Sequence, residues 1–272
     1  MRPLVLLLVC LLGCAPSARK ETVASDETPA CDPAQPGIEM GALAIGGSDS
    51  SDATATGRFA LGRHGSCRRL TLALAGTRTG ALAGSFDRSY GVVRFPLPHS
   101  VAEIAQADST FEDSTVAAAF VVHERAGGYR LDVHLARPAF ARALAVGNKI
   151  ALDLEPGGGA IPALAPRARN VVVMEPRDGG VTYPIVIKGY ARTFEANVQA
   201  WIEQHDVVLK GTKTHATATD WMSTWGEFEI TIPSGPEGDI VLFVGEESAK
   251  DGTPIGVRIP LRAASGATAG GR

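Results

Sequence analysis

The fold class follows from the run Tyr129-Arg130-Leu131-Asp132-Val133-His134-Leu135. Apolar and polar residues alternate along it without a break. Successive side chains of a β-strand point to opposite faces, so a period of two reads as a half-buried strand. The pattern places Tyr129, Leu131, Val133 and Leu135 toward a core. It leaves Arg130, Asp132 and His134 on a solvated outer face. Asp132 and His134, two positions apart on that face, suit a metal in principle, but such spacing more often marks solvated side chains.

Outward from this strand the same period recurs. Strands are expected at residues 69–75, 90–95, 115–123 and 149–155, with turn signals at Gly127-Gly128 and Gly147-Asn148. Gly127-Gly128 separates two of these runs by a short connection, which predicts a hairpin. A short helix is expected over 101–106. Further on, strands are expected at 170–174, 184–191, 197–203, 228–232, 240–245 and 256–261. In them Phe228, Ile230 and Ile232 alternate with Glu227, Glu229 and Thr231, and Val257, Ile259 and Leu261 with Arg258 and Arg262. Six or seven short strands separated by turns describe an immunoglobulin-like sandwich. The fold class is therefore all-β, with two β-sandwich domains, the second immunoglobulin-like, after a cleaved signal peptide and a flexible tether.

The boundaries follow from composition. Residues 1–13 read as a signal peptide, because Arg2 precedes an apolar run from Leu4 to Leu12. That run is too short to span a hydrocarbon core, which takes about 20 apolar residues. Residues 14–30 are small, charged and proline-bearing, as expected of a disordered tether. Residues 31–156 form the first domain, and 157–169 the linker, marked by Gly157 to Gly159, Pro162 and Pro166. Residues 170–263 form the second domain, and 264–272 a frayed tail.

Leu11-Leu12-Gly13-Cys14 resembles the lipobox of bacterial lipoproteins. The resemblance implies that Cys14 is lipidated and becomes the first residue of the mature chain, a membrane anchor in the cell envelope. An ordinary secretory signal with an incidental Cys14 is the alternative. Of the four cysteines, Cys31 and Cys67 then remain, and behind an export leader a pair 36 positions apart reads most simply as a disulfide. Two buried free thiols are the other reading. The formal charge of −3 and the lack of basic blocks argue against nucleic acid as a partner. No metal or other cofactor is expected.

The run Gly65-Ser66-Cys67-Arg68-Arg69-Leu70-Thr71-Leu72, with Gly128 to Leu131, Pro138-Ala139-Phe140 and Lys149 to Leu154, resembles an AMIN-like domain, a relative of modules in cell-wall amidases and secretion pores. That likeness covers about residues 55–156 and implies envelope targeting and peptidoglycan contact. The second domain more closely resembles Gmad2, an immunoglobulin-like module of bacterial spore-germination proteins and other envelope lipoproteins. Its landmarks are Glu175-Pro176, Tyr183 to Gly189 with Ala191, Phe194 to Val198, Trp225 to Phe228, Glu246 to Gly252 and Val257 to Leu261. The GerMN domain that often precedes Gmad2 in germination proteins is not seen here.

These landmarks read first as structure. Gly189 and Gly226 suit close strand approach, and Phe194 suits a plug at the sandwich end. The candidate binding surface is the Phe194, Glu195 and Asn197 turn together with the Ser248, Lys250 and Asp251 loop, although these polar residues also satisfy ordinary turn chemistry. Trp201 falls on the outer face of its strand with Gln199 and Glu203. It is either exposed for stacking near Trp221 or buried beneath the loop 210–223.

Catalytic patterns fail on spacing. His123-Glu124 meets Gly127 where a zinc-protease motif needs histidine, and Ser17 with Lys20 falls in the tether. The glycine run 157–159 lacks the lysine of a phosphate loop. No catalytic residue is expected. The sequence reads as a non-catalytic, lipid-anchored envelope protein that binds peptidoglycan or another envelope polymer, with a partner-docking role in an envelope or germination complex as the alternative.

Overall fold

The structure, a computed structural model, describes residues 43–45, 55–75, 82–97, 103–146 and 149–265. The leader, Cys14, the tether, Cys31 and the turn at Gly147-Asn148 lie outside the described residues. The first half of the chain forms β1 (Leu43–Ile45), β2 (Ala55–His64), β3 (Cys67–Ala75), β4 (Leu82–Asp87), β5 (Val92–Pro96), β6 (Glu103–Ile104), β7 (Asp108–Thr110), β8 (Val116–His123), β9 (Tyr129–Leu135), β10 (Ala139–Val146) and β11 (Lys149–Pro156). The second half forms β12 (Val171–Glu175), β13 (Gly180–Thr182), β14 (Ile185–Ala191), β15 (Asn197–Gln204), β16 (Val207–Val208), β17 (Thr214–Thr217), β18 (Trp225–Ile232), β19 (Gly238–Glu247) and β20 (Pro254–Ala264).

Each half is a sandwich whose inward-facing residues meet across two sheets. In the first, β1-β4-β5-β9-β8 faces β10-β11-β3-β2-β6, and Leu70, Leu72, Val93, Phe95, Val121, Leu131 and Val133 fill the space between. In the second, β12-β14-β18 faces β13-β20-β19-β15-β16, over Val173, Ile187, Ile202, Phe228, Ile230 and Leu242. The all-β, two-sandwich reading of the sequence therefore holds. The expected hairpin is present too: β8 and β9 are antiparallel, Gly127 and Gly128 both take positive φ, and the Glu124 amide donates to the Gly128 carbonyl at 3.0 Å. Gly189 and Gly226 lie where a Cβ would sit 2.1 Å from the Val172 carbonyl and the Asp220 amide respectively, so close approach requires glycine at both.

The sandwiches are not separate. β18 pairs in parallel with β8 at Trp225 with Val122 and Gly226 with His123, so one sheet of nine strands runs through both halves. This overturns the expectation of a half-buried β9. Arg130, Asp132 and His134 are buried because the second sandwich covers the face that the alternation assigned to water. The linker is laid down as well. Ile161 packs on the first core, Ala165 is buried, and the Val173 amide donates to the Pro166 carbonyl at 2.9 Å.

The helix expected over 101–106 is not formed in its described part. Glu103 and Ile104 pair in parallel with β2, and the Ala105 amide donates to the Thr56 carbonyl at 3.0 Å. Six residues are too few to stabilise a helix from within, so a neighbouring strand edge decides their conformation.

Inside the five-stranded sheet Arg69 and Asp153 stand directly opposite each other on β3 and β11. The guanidinium donates to both carboxylate oxygens, at 2.5 and 2.6 Å, in a buried fork. Removing one partner of a buried ion pair leaves the other charge without compensation, at about 3–5 kcal/mol. Asp153→Ala should therefore lower the free energy of unfolding by about that amount in urea titrations, with an unchanged slope. A loss below about 1 kcal/mol would place the pair among those that contribute little.

Candidate functional site

The seam between the sandwiches is built by the outer row of β9. Asp132 is wholly buried, and a carboxylate there needs compensating cations. Arg130 supplies one, with Nε 3.0 Å from Asp132, and Arg94 on β5 a second, at 3.3 Å. Arg130 also binds Glu124 at 3.1 Å and, across the seam, Glu227 on β18. Burial pushes the Asp132 carboxyl upward, against the pull of the two guanidiniums. Burial alone would lower Arg130, but Asp132 and Glu227 hold it above its ordinary value.

Beside this network lies an aromatic knot. Phe120 meets Trp225 edge to face with ring centres 5.0 Å apart, and also packs on Tyr190 and on His134. His134 Nε2 is hydrogen-bonded to the Tyr190 hydroxyl across the seam. Burial, followed by the charges of Arg177, Arg167, Arg94 and Arg130, pushes the imidazole down to about 3, so it is neutral at physiological pH. Tyr90 donates to Glu175, and Arg177 donates to the Tyr90 carbonyl at 2.8 Å. Thr219 and Thr224 tie the loop before β18 to the His123 and Val121 carbonyls.

A cleft of about 310 Å³ opens along the seam, lined by Tyr90, Arg94, Arg125, Arg130, Lys188 and Glu227 among others. Its cations are matched by carboxylates. Arg94 has Asp87 and Asp132, Arg125 has Glu229 at 3.5 Å, and Lys188 has Glu175 at 3.8 Å. Such a network holds two bodies in one orientation and presents no charge in excess to a ligand. Asp132 and His134, the pair weighed for metal, serve here as seam residues.

The structure separates the residues of the candidate surface. Trp201 is only 2 % exposed: its ring stacks on Phe243 at 3.8 Å, Lys213 from the loop above lies over it, and its Nε1 donates to Glu203. Exposure for stacking is thereby corrected in favour of burial, because the strand's outer face is roofed by the 210–223 loop and by Phe243. Phe194 does not plug the sandwich end. It is 59 % exposed, on a turn whose next residues, Glu195 and Ala196, both take left-handed φ. Asn197, exposed, begins β15. Glu246 accepts from the Phe194 amide at 2.7 Å and from Asn170, and thereby joins this turn to the strand that carries the Ser248 to Gly252 loop. In that loop the Ser248 hydroxyl accepts from the Lys250 amide, and Asp251 accepts from the Thr253 amide, so both satisfy their own turn.

Trp221 and Met222 complete the exposed edge. The Trp221 ring, 39 % exposed, meets Phe194 at 6.0 Å, and Met222 is 70 % exposed. Asp220 orders their loop by accepting from the Met222 and Ser223 amides. Nothing in a local period reveals this edge. The seam did leave a signal: the run from Val116 to Val122 is apolar at every position, the mark of a strand buried on both faces.

Residues 170–253 match Gmad2, described as the immunoglobulin-like domain of bacterial spore germination. The match ends before β20, which completes the sandwich. No curated protein and no solved structure matches the chain.

The seam has a pH signature. A histidine lowered on folding binds fewer protons than in the unfolded chain between about pH 3 and 6.5, so stability falls as pH drops through that window. From pH 6.5 to 4.5 the unfolding free energy should fall more steeply in the wild type than in His134→Gln, by about 1.4 kcal/mol per pH unit. Asp132 works in the opposite sense in both proteins, so the difference isolates His134. Parallel profiles would show that the imidazole stays accessible to protons.

Proposed function

We propose that this chain is a non-catalytic, lipid-anchored envelope protein whose second sandwich binds peptidoglycan or another envelope polymer through its Phe194 and Trp221 edge. The observation that carries the reading is this aromatic pair. Phe194 stands exposed on a turn held by two successive left-handed, non-glycine residues and by Glu246, and the exposed ring of Trp221 meets it from the neighbouring loop. Left-handed backbone at such residues costs on the order of 1–3 kcal/mol each, and it recurs at recognition sites. Aromatic faces suit the apolar faces of sugar rings.

Cys14 carries the lipid, and the buried Cys67 pairs with Cys31. The germination setting of the Gmad2 family is compatible with work at the envelope. A partner-docking role is the second reading, favoured by Met222, whose flexible thioether suits protein surfaces that must adapt.

Sedimentation with purified peptidoglycan sacculi tests the polymer reading. Saturable co-sedimentation is expected, reduced at least fivefold by Phe194→Ala or Trp221→Ala. Trp201→Ala is uninformative as a probe of contact, since it opens a buried site. Absence of sedimentation at high protein concentration would refute the polymer reading, and photocrosslinking from position 222 would then test the docking one. Separately, Cys14→Ser should move the protein from the membrane to the soluble fraction, and retention in the membrane would remove the anchor from the account.

A further inference from the structure

The end of the first sandwich carries a second polar cleft, of about 280 Å³, remote from the aromatic edge in sequence and independent of it. Arg63, Ser66, Arg68, Thr115 and Arg137 line it, with the β2–β3 turn at its rim. Three arginines stand around it. Arg63 and Arg68 are direct partners in the antiparallel ladder, so two like charges stand on one face of a hairpin. That arrangement is destabilising unless something neutralises it.

Among the described residues, compensation is incomplete. Asp113 binds Arg68 at 2.8 Å, and its other oxygen accepts from the Thr115 amide. Arg137 is held through Nε and Nη2 by the buried Thr115 hydroxyl, a neutral acceptor, at 3.3 Å for both. Arg63 is exposed and has no carboxylate partner among the described residues. Glu112 lines a neighbouring cleft that shares Arg68, together with Asp113, and does not line this one. Among the described residues, one paired carboxylate against three guanidiniums leaves an excess of two positive charges around a concave site.

We propose that this cleft binds a phosphoryl oxyanion. A guanidinium offers a planar fork of donors that matches phosphate oxygens, and a tetrahedral phosphate can accept from three directions at once, whereas a carboxylate offers only two oxygens. Asp113 and Thr115, from one loop, hold Arg68 through its Nε and Arg137 through its Nε and Nη2, so two of the three guanidiniums are positioned before any ligand arrives and offer it their remaining Nη–H donors. The Arg63 fork closes on the anion. The phosphate is either a free or polymer-borne phosphoester or a lipid headgroup, and the site chemistry is shared by both.

Calorimetric titration of the mature chain carrying Cys14→Ser, with inorganic phosphate and with glycerol phosphate, tests this. Saturable binding is expected, weakened by added salt, with acetate a poor competitor. Arg63→Ala and Arg137→Ala should each weaken it at least tenfold, and Arg63→Lys should rescue it only in part. Arg58→Ala, an exposed arginine outside the cleft, should leave it unchanged. Arg63→Glu separates function from folding: it pairs with Arg68, so it should raise the melting temperature while abolishing phosphate binding. Co-flotation with phosphatidylglycerol vesicles, compared with phosphatidylcholine, identifies the source; arginine-dependent flotation assigns a lipid headgroup, and titration without flotation assigns a free or polymer-borne phosphoester. Absence of saturable phosphate binding, or equal losses from Arg58→Ala and Arg63→Ala, would overturn the proposal, and neither result bears on the sacculus assay.

Discussion

Asp132 has no path to water, and much of the molecule can be read as the answer to that constraint. A lone carboxylate in an apolar interior would cost several kcal/mol. Here Arg130 and Arg94 approach from the first sandwich, and Glu227 from the second completes the ring of charges around Arg130. The network is whole only when the two sandwiches meet. The β8–β18 ladder and the Phe120, Tyr190 and Trp225 knot hold them at that meeting. Polar pairing and ring geometry thus fix one orientation, where an all-apolar seam would tolerate sliding.

Under the proposed function, a fixed orientation has consequences. If the aromatic edge of the second sandwich contacts a polymer, a stiff body carries that contact back to the first sandwich without bending. The loop that presents Trp221 is itself tied to β8 through Thr219 and Thr224, so the edge and the seam are parts of one construction. The charged cleft of the first sandwich lies outside this construction and draws on separate residues.

The sequence made the strands legible because burial on one face imposes a period of two, and the second sandwich shows it cleanly from Phe228 to Ile232 and from Val257 to Leu261. The same rule failed on β9. Alternation tells which residues differ, and it cannot tell whether the polar row meets water or a second layer of protein. Asp132 and His134 carry the same letters in either case. The neighbouring run from Val116 to Val122, apolar throughout, held the missing information, since a strand with no polar face must be covered on both sides. The burial of Trp201, one of its two readings, and the exposure of Phe194 have a related reason. Their exposure is set by a loop and by a left-handed turn, features of tertiary placement to which local period is blind.

Calorimetry of the mature chain with and without Leu131→Ala, a substitution confined to the first core, tests the fused body most directly. A large-to-small change at such a site costs about 2–5 kcal/mol. A fused body gives a single endotherm that shifts as a whole to lower temperature. Two endotherms, of which only the first moves, would contradict it, because the second sandwich would then be indifferent to the fate of the first.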